Sequence, residues 1–124
     1  MFTHSSTRCQ HGAPSLEWDE GLALQAQEHA ETCIFQHTSI LGIENGGSSE
    51  NLALGFLTLK DAITEWYNEE QFYDYSNPGP TGKLPEYQDE QIGHFTALVW
   101  KGSTKVGCGI HFCDATTGVV EFTN

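Results

Sequence analysis

Two segments of the chain carry apolar residues at helical spacing. The first follows Asp19, a preferred N-cap residue, and repeats small and apolar side chains about every four positions, at Leu22, Ala26, Ala30 and Cys33. The second follows Thr58, which forms a capping-box-like pair with Asp61, and its stripe consists of Leu59, Ala62, Ile63, Trp66 and Tyr67. These patterns predict one helix from Asp19 to about Cys33 and a second that begins at Thr58.

The last third of the chain shows strand patterns instead. Alternating segments at 95–100, 106–112 and 118–122 are separated by turn-forming residues at 102–103 and 114–117, which predicts antiparallel pairing. His94, directly before the first of these segments, would share one face with Thr96 and Leu98. Gly107 and Gly109 indicate a bulge or the close approach of another element.

The order of these elements predicts the fold class. Helices that precede strands favour an α+β domain, in which helices cover a small antiparallel sheet. Residues 34–57 are rich in loop-forming residues, and a long loop is expected over 76–92, where Asn77-Pro78-Gly79-Pro80 breaks regular structure. Loops of that length are usually functional or mobile.

Length and charge narrow the possible partners. The chain has 124 residues, enough for one domain, and carries 17 acidic against 5 basic residues, a net charge of −12. Such a surface repels nucleic acids and anionic membranes but leaves cations, basic proteins and neutral ligands as partners. Neither a transmembrane segment nor a signal peptide is recognisable, so we expect a cytosolic protein or a mature or excised part of a longer one.

The four cysteines help to predict whether the protein is found in an oxidising or a reducing compartment. Cys9, Cys33, Cys108 and Cys113 allow three pairings, and their spacing suits no common zinc site. Two disulfides in an oxidising compartment are the favoured interpretation, and buried thiols in a cytosolic protein are the alternative.

The sequence contains no local catalytic signature, so any site must be assembled from distant segments. Four candidates lie at the ends of predicted elements: His37, Glu50, Glu69 and His94. Two imidazoles and two carboxylates could hold a divalent metal, or they could hydrogen-bond one another or be ordinary surface residues. The sequence suggests no partner for the remaining histidines, His4, His11, His29 and His111.

Several motifs together resemble a known family. They are His11-Gly12-Ala13-Pro14-x-Leu16-x-Trp18-Asp19, Cys33-x-Phe35-x-His37, Glu50-Asn51-Leu52-Ala53, Trp66-Tyr67-x-Glu69, Tyr73-Asp74-Tyr75-Ser76-Asn77-Pro78-Gly79, Gly93 to Ser103, and Val106-Gly107-Cys108-Gly109. In this order they resemble the CAP superfamily (SCP domain) of cysteine-rich secretory, antigen 5 and pathogenesis-related 1 proteins. The resemblance extends over nearly the whole chain and implies a single domain at 1–124.

The resemblance implies a fold and a site. The fold is a three-layer αβα sandwich, and the cleft residues of the family correspond to His37, Glu50, Glu69 and His94, where several members hold zinc or a similar ion. It also implies a disulfide between Cys33 and Cys113.

The chain departs from the family pattern in four places. The loop between Pro80 and Ile92 is longer than in compact members and is acidic. Ser49 replaces a glycine, the usual C-terminal motif is missing, and Glu121 stands near the position of a family cysteine. Because that cysteine is the usual partner of Cys108, we expect Cys9 to pair with Cys108 instead.

The favoured function is a secreted binding module for a sterol, another lipid or a protein partner, without catalytic residues. Supporting features are the loop at 76–92 and the aromatic residues Trp66, Tyr67, Phe72, Tyr73 and Tyr75. One alternative is a structural building block of a larger extracellular assembly. Another is a metal-dependent hydrolase or protease, in which His37 or His94 holds a metal-bound water and Glu50 or Glu69 acts as base.

Overall fold

The computed structural model describes residues 2–37, 49–114 and 116–123. Its elements, in chain order, are α1 (Phe2–Gln10), β1 (Glu17–Trp18), α2 (Glu20–Glu31), β2 (Ser49–Leu54), α3 (Leu59–Tyr67), two 3₁₀ helices (Asn68–Phe72 and Pro85–Tyr87), α4 (Gly93–Leu98), β3 (Lys105–Cys113) and β4 (Thr116–Thr123).

Both helices predicted from apolar spacing are present, with the predicted caps. The Asp19 carboxylate accepts a hydrogen bond from the Leu22 amide at 2.8 Å, and the Thr58 hydroxyl accepts one from the Asp61 amide at 3.1 Å. The apolar stripes are buried, as the spacing requires: Leu22, Ala26 and Ala30 in α2, and Ala62, Ile63 and Trp66 in α3.

The four strands form one sheet in the order β1-β3-β4-β2. The pairs β3–β4 and β2–β4 are antiparallel, as predicted for β3 and β4. The short β1 runs parallel to β3, with Glu17 opposite Lys105 and Trp18 opposite Val106, so the sheet is mixed rather than purely antiparallel.

Alternation along the strands divides the core between the two faces of the sheet. Leu52, Val120 and Phe122 pack against α2. Ala53 and Val119 face the opposite way, onto the layer that contains α3 and α4. With α1 packed against α3 and α4, the result is the three-layer αβα arrangement that the resemblance implies.

Gly107 and Gly109 explain how closely α2 approaches the sheet. A Cβ at Gly109 would lie 2.5 Å from the backbone of Gln27, and one at Gly107 would overlap the backbone of Ala23. The Gln27 side chain then pairs with the backbone of Ile110, donating through Nε2 and accepting through Oε1, each at 3.0 Å. The two glycines mark a close approach, one of the two predicted possibilities.

The predicted strand at 95–100 is wrong, because this segment begins with helix α4. Phe95 and Leu98, which would lie on opposite faces of a strand, are both buried on one side of the helix. The Phe95 amide donates to Glu69 Oε1 at 3.0 Å, so a carboxylate satisfies one free N–H of the first helical turn.

Helix α1 and strand β2 are present where no regular element was predicted. The anchor of α1 is Arg8, which is fully buried. Its guanidinium donates to four backbone carbonyls, those of Pro14 at 2.6 Å, Leu98 at 3.0 Å, Trp100 at 2.9 Å and Ser103 at 3.1 Å. One side chain therefore fixes α1 to the end of α4 and the turn that follows.

The structure contains the disulfide between Cys33 and Cys113, whose Cα atoms are 5.8 Å apart. The predicted pairing of Cys9 with Cys108 is not formed. Cys9 is an exposed free thiol on α1, whereas the Cys108 thiol on the sheet donates to Glu121 Oε2 at 3.5 Å.

None of the helices in the described ranges has the length and apolar character needed to cross a lipid bilayer.

Candidate functional site

His94 and Glu69 form a close pair on the layer of α3 and α4. His94 lies in the first turn of α4 and Glu69 in the 3₁₀ helix that continues α3. His94 Nδ1 is 2.7 Å from Glu69 Oε2, and both side chains are largely buried. The Trp66 ring stacks against the imidazole at a centroid distance of 5.7 Å. Trp66 and Glu69 therefore fix the orientation of the His94 ring.

His37 and Glu50 form a second pair at the start of β2. His37 Nδ1 lies 2.7 Å from Glu50 Oε1; the imidazole is 66 % exposed, whereas the carboxylate is only 4 % exposed. Although the two residues are 13 positions apart, they meet because the start of β2 lies close to the segment that follows α2.

The edge strand β2 connects the two pairs. Alternation directs Glu50 toward the α2 face, with Leu52, and Asn51 toward α4, where its amide donates to the His94 carbonyl at 3.4 Å. Within the described parts of the chain, no three of these four residues bring ligand atoms within 4.8 Å of one another. The structure therefore forms two histidine–carboxylate pairs beside β2 rather than one compact four-ligand cluster.

Each pair has chemistry suited to a metal ligand. A carboxylate that binds one imidazole nitrogen fixes the tautomer and orients the other nitrogen toward an ion. Both rings use Nδ1 for the carboxylate, so Nε2 would be the metal-binding atom in each.

A large cavity lies elsewhere on the same layer, between α4 and the segment at 73–75. It has a volume of about 600 Å³ and is lined by His11, Tyr73, Tyr75, Phe95, Thr96, Val99, Trp100, Lys101 and Gly102. We call it the aromatic groove. Tyr73 packs edge-on against Tyr75 and Phe95, at centroid distances of 4.9 and 5.8 Å, so the aromatic side chains form a continuous wall.

A hydrogen-bond network supports this wall. His11 Nε2 lies 2.9 Å from the Tyr67 hydroxyl, and the Tyr75 hydroxyl donates to Glu70 Oε1 at 3.0 Å. Burial and the Glu70 carboxylate raise the pKa of Tyr67 to about 12 and raise the pKa of Tyr75 as well. Both phenols therefore stay protonated at neutral pH. His11 has partners after all, which the sequence did not reveal because Tyr67 and Tyr75 are distant in the chain.

Comparison with known proteins identifies the family. The family model described as "CAP: Cysteine-rich secretory protein family" matches residues 2–122. The chain belongs to the CAP family.

Relatives and solved structures agree with this assignment. The CAP chain is 40 % identical over 116 residues to Protein PRY2 of Saccharomyces cerevisiae, covering 93 % of this chain and 32 % of the yeast protein. It is 34 % identical over 122 residues to Pathogenesis-related protein 1B of Nicotiana tabacum, covering 92 % and 65 % of the two chains. The crystal structure of NaASP2 with Zn²⁺ superposes with a TM-score of 0.77 at 21 % identity, covering 98 % of this chain and 75 % of that one.

The chain spans about a third of the length of the yeast relative and about two thirds of the tobacco one. Comparison with the yeast protein therefore concerns one part of a longer chain.

This CAP domain has a buried polar cluster that the sequence did not predict. His4 of α1 and Glu121 of β4 are each 1 % exposed, and His4 Nε2 lies 2.7 Å from Glu121 Oε2. His4 Nε2 makes no hydrogen bond of good geometry, so the contact is a close approach that forms an ion pair when the ring carries a proton on both nitrogens. Asn51 and Cys108 also contact the carboxylate, each at 3.5 Å.

Proposed function

We propose that this CAP domain is an extracellular binding module whose aromatic groove takes a sterol or another lipid. The observation that carries the proposal is the groove itself, an apolar cavity of about 600 Å³ with few polar groups. Small-molecule sites typically enclose about 300–1,000 Å³ and have this kind of lining. The description of the family as secretory proteins and the Cys33–Cys113 disulfide support an extracellular location.

The polar groups of the groove suggest how such a ligand would be oriented. Lys101 lines the groove although the chain has only five basic residues and a net charge of −12. His11 and Thr96 add hydrogen-bonding groups to the same lining. A ligand with an apolar body and one polar or anionic end would satisfy both parts of the lining.

Binding of a fluorescent sterol and of a long-chain fatty acid tests this proposal. Tyr75→Ala removes one aromatic wall and is expected to weaken binding about tenfold, since burying such a side chain contributes about 1.5–3 kcal/mol. Phe112→Ala is the matched control, because Phe112 is an exposed aromatic residue on β3 outside the groove. Absence of saturable binding of either probe, or equal losses in the two variants, would refute the lipid proposal.

We also propose that the two histidine–carboxylate pairs hold Zn²⁺ or another divalent cation. The support is that each imidazole is oriented by a carboxylate at 2.7 Å through Nδ1. The NaASP2 structure contains Zn²⁺, but its 21 % identity to this chain shows the shared fold alone.

Calorimetric titration with zinc tests the cation proposal. His94→Ala and His37→Ala are expected to abolish or strongly weaken binding, whereas Glu65→Gln, an exposed carboxylate on α3, should leave it unchanged. Glu69→Gln should weaken binding about 10–100-fold if it orients His94. Zinc affinity that survives both histidine substitutions would contradict the proposal.

The binding module is favoured over a hydrolase or protease because of the contacts of Glu69. One of its oxygens contacts His94 Nδ1 and the other accepts from the Phe95 amide. These two contacts fit a carboxylate that orients the imidazole of a cation ligand, which is the role proposed above.

We infer that the described elements form one domain. A protein partner, or service as a building block of a larger extracellular assembly, remains a second proposal, favoured by exposed apolar side chains such as Leu57 and Phe112. Analytical ultracentrifugation that shows a monomer at high concentration would argue against self-assembly.

A further inference from the structure

We propose that reduction of the Cys33–Cys113 disulfide creates a metal site with two cysteine ligands and one histidine ligand, His111. Among residues 2–37, 49–114 and 116–123, these three form the one group of His, Cys, Asp and Glu side chains whose ligand atoms lie within 4.8 Å of one another. The site is separate from the two histidine–carboxylate pairs and from the aromatic groove.

Strand geometry brings His111 to the disulfide. His111 and Cys113 are two positions apart on β3 and so share a face, the one covered by α2. Residues 107 and 109 on the same face are glycines against the α2 backbone, which lets the helix end reach the strand end. Cys33, just past that helix end, completes the group.

Both cysteines are held by contacts that do not depend on the disulfide. The Cys33 amide donates to the Ala30 carbonyl at 3.1 Å as part of the end of α2. Cys113 is 8 % exposed and lies opposite Thr116 in the β3–β4 ladder. Gln27 joins α2 to β3 through two hydrogen bonds to Ile110. After reduction the two sulfurs would therefore remain close together, with His111 beside them.

A dithiol reductant supplies the electrons and protons that open the disulfide. The dithiol transfers two electrons and two protons to the disulfide, which becomes two thiols while the reductant becomes a disulfide. A divalent metal then displaces both thiol protons and binds two thiolates and the imidazole. Soft sulfur with one imidazole favours Zn²⁺, with its fourth tetrahedral position left for water. Cys33 is exposed, so a reductant can reach it.

Cobalt(II) titration of the full chain tests the site, because thiolate-to-cobalt charge-transfer bands distinguish sulfur ligands from histidine and carboxylate ligands. Cys9 and Cys108 are replaced by serine, so that the only thiols are those of the opened disulfide. We expect thiolate-to-cobalt bands that saturate at one equivalent in the reduced protein, and no such bands in the oxidised protein, where cobalt can bind only histidine and carboxylate ligands. His111→Ala should weaken binding about tenfold or more, and the control Glu65→Gln, on the exposed face of α3, should not change it.

A second measurement tests the proposal even if the reduced chain partly unfolds. Zinc should raise the reduction potential of the disulfide by about 30 mV for each tenfold excess over its dissociation constant, and only while His111 is present. Circular dichroism establishes whether the reduced chain keeps its fold. Absence of thiolate bands in the reduced protein, equal cobalt affinity without His111, or a potential insensitive to zinc would each overturn the proposal.

Discussion

At the scale of single residues, the surroundings give two similar thiols opposite properties. Cys9 is exposed on α1, whereas Cys108 is partly buried beside the Glu121 carboxylate. Burial and the negative charge of Glu121 raise the pKa of the Cys108 thiol well above its usual value. Because the thiolate is the reactive form, Cys108 should be nearly inert at neutral pH.

We therefore predict that iodoacetamide labels Cys9 much faster than Cys108 in the native protein at pH 8. Peptide mapping by mass spectrometry over a time course measures both rates, and labelling in urea provides the control in which the two thiols become equivalent. Equal rates in the folded protein would show that Cys108 is not protected in this way.

The buried pair of His4 and Glu121 gives a second prediction at this scale. His4→Ala leaves the buried Glu121 side chain without its imidazole partner, and removal of one partner of a buried pair typically costs about 3–5 kcal/mol. Urea unfolding measures the loss. The comparison is Lys105→Met, which removes a partly exposed partner of Asp19 at 3.5 Å and should cost less than about 1 kcal/mol. Similar losses in the two variants would mean that burial of the first pair matters little.

At the scale of elements, the sequence predicts α2, α3, β3 and β4 well, because their patterns are long or their caps are explicit. It fails at 95–100 because a helix of only six residues is too short for its period to be told from alternation. It misses α1 because the residues that hold that helix are polar. Arg8 and His4 are fully or almost fully buried, and apart from the Pro14 carbonyl their partners lie about 90 or more positions away in the chain.

The candidate site likewise has some residues that the sequence points to and some contacts that it does not reveal. The resemblance points to His37, Glu50, Glu69 and His94, and the structure brings them together as two pairs, whereas their role as a metal site stays a prediction. Nothing in the sequence pattern places His11 against Tyr67, or His111 beside the disulfide, because these contacts depend on how whole layers pack.

Packing of α2 on the sheet gives a prediction at the element scale. Gly109→Ala introduces a Cβ at 2.5 Å from the Gln27 backbone, so α2 must shift, and we expect a loss of about 1–3 kcal/mol. Gly93→Ala is the matched control, since nothing lies within 4 Å of its added Cβ. Urea unfolding midpoints compare the two. A stable Gly109→Ala protein would show that α2 is less firmly seated than the contacts indicate.

At the scale of the whole molecule, covalent and ionic links hold the layers together at different points. The Cys33–Cys113 disulfide joins α2 to the sheet, across 80 residues of chain. On the opposite face, the His4–Glu121 ion pair joins α1 to the sheet, next to Cys108. Glu121 lies directly opposite Cys108 in the β3–β4 ladder, near where the resemblance expects a second disulfide. The Cys108 thiol and the Glu121 carboxylate thus lie in contact where the resemblance implies a disulfide.

The position of Glu121 opposite Cys108 leads to a prediction for the variant Glu121→Cys in a Cys9→Ser background. Directly opposed residues of antiparallel strands have Cβ atoms about 4.5–5.5 Å apart, slightly more than a disulfide requires, so a small adjustment lets the introduced thiol bond to Cys108. We expect the oxidised variant to be about 2 Da lighter than its reduced form for this added bond, by non-reducing mass spectrometry.

Glu121→Ser removes the carboxylate without supplying a thiol, so it isolates the cost of leaving His4 unpaired. The oxidised Glu121→Cys variant should be more stable than Glu121→Ser by about 3 kcal/mol, the entropic estimate for a loop of this size. Failure of the two sulfurs to bond would mean that residue 121 is not in the position of the missing cysteine.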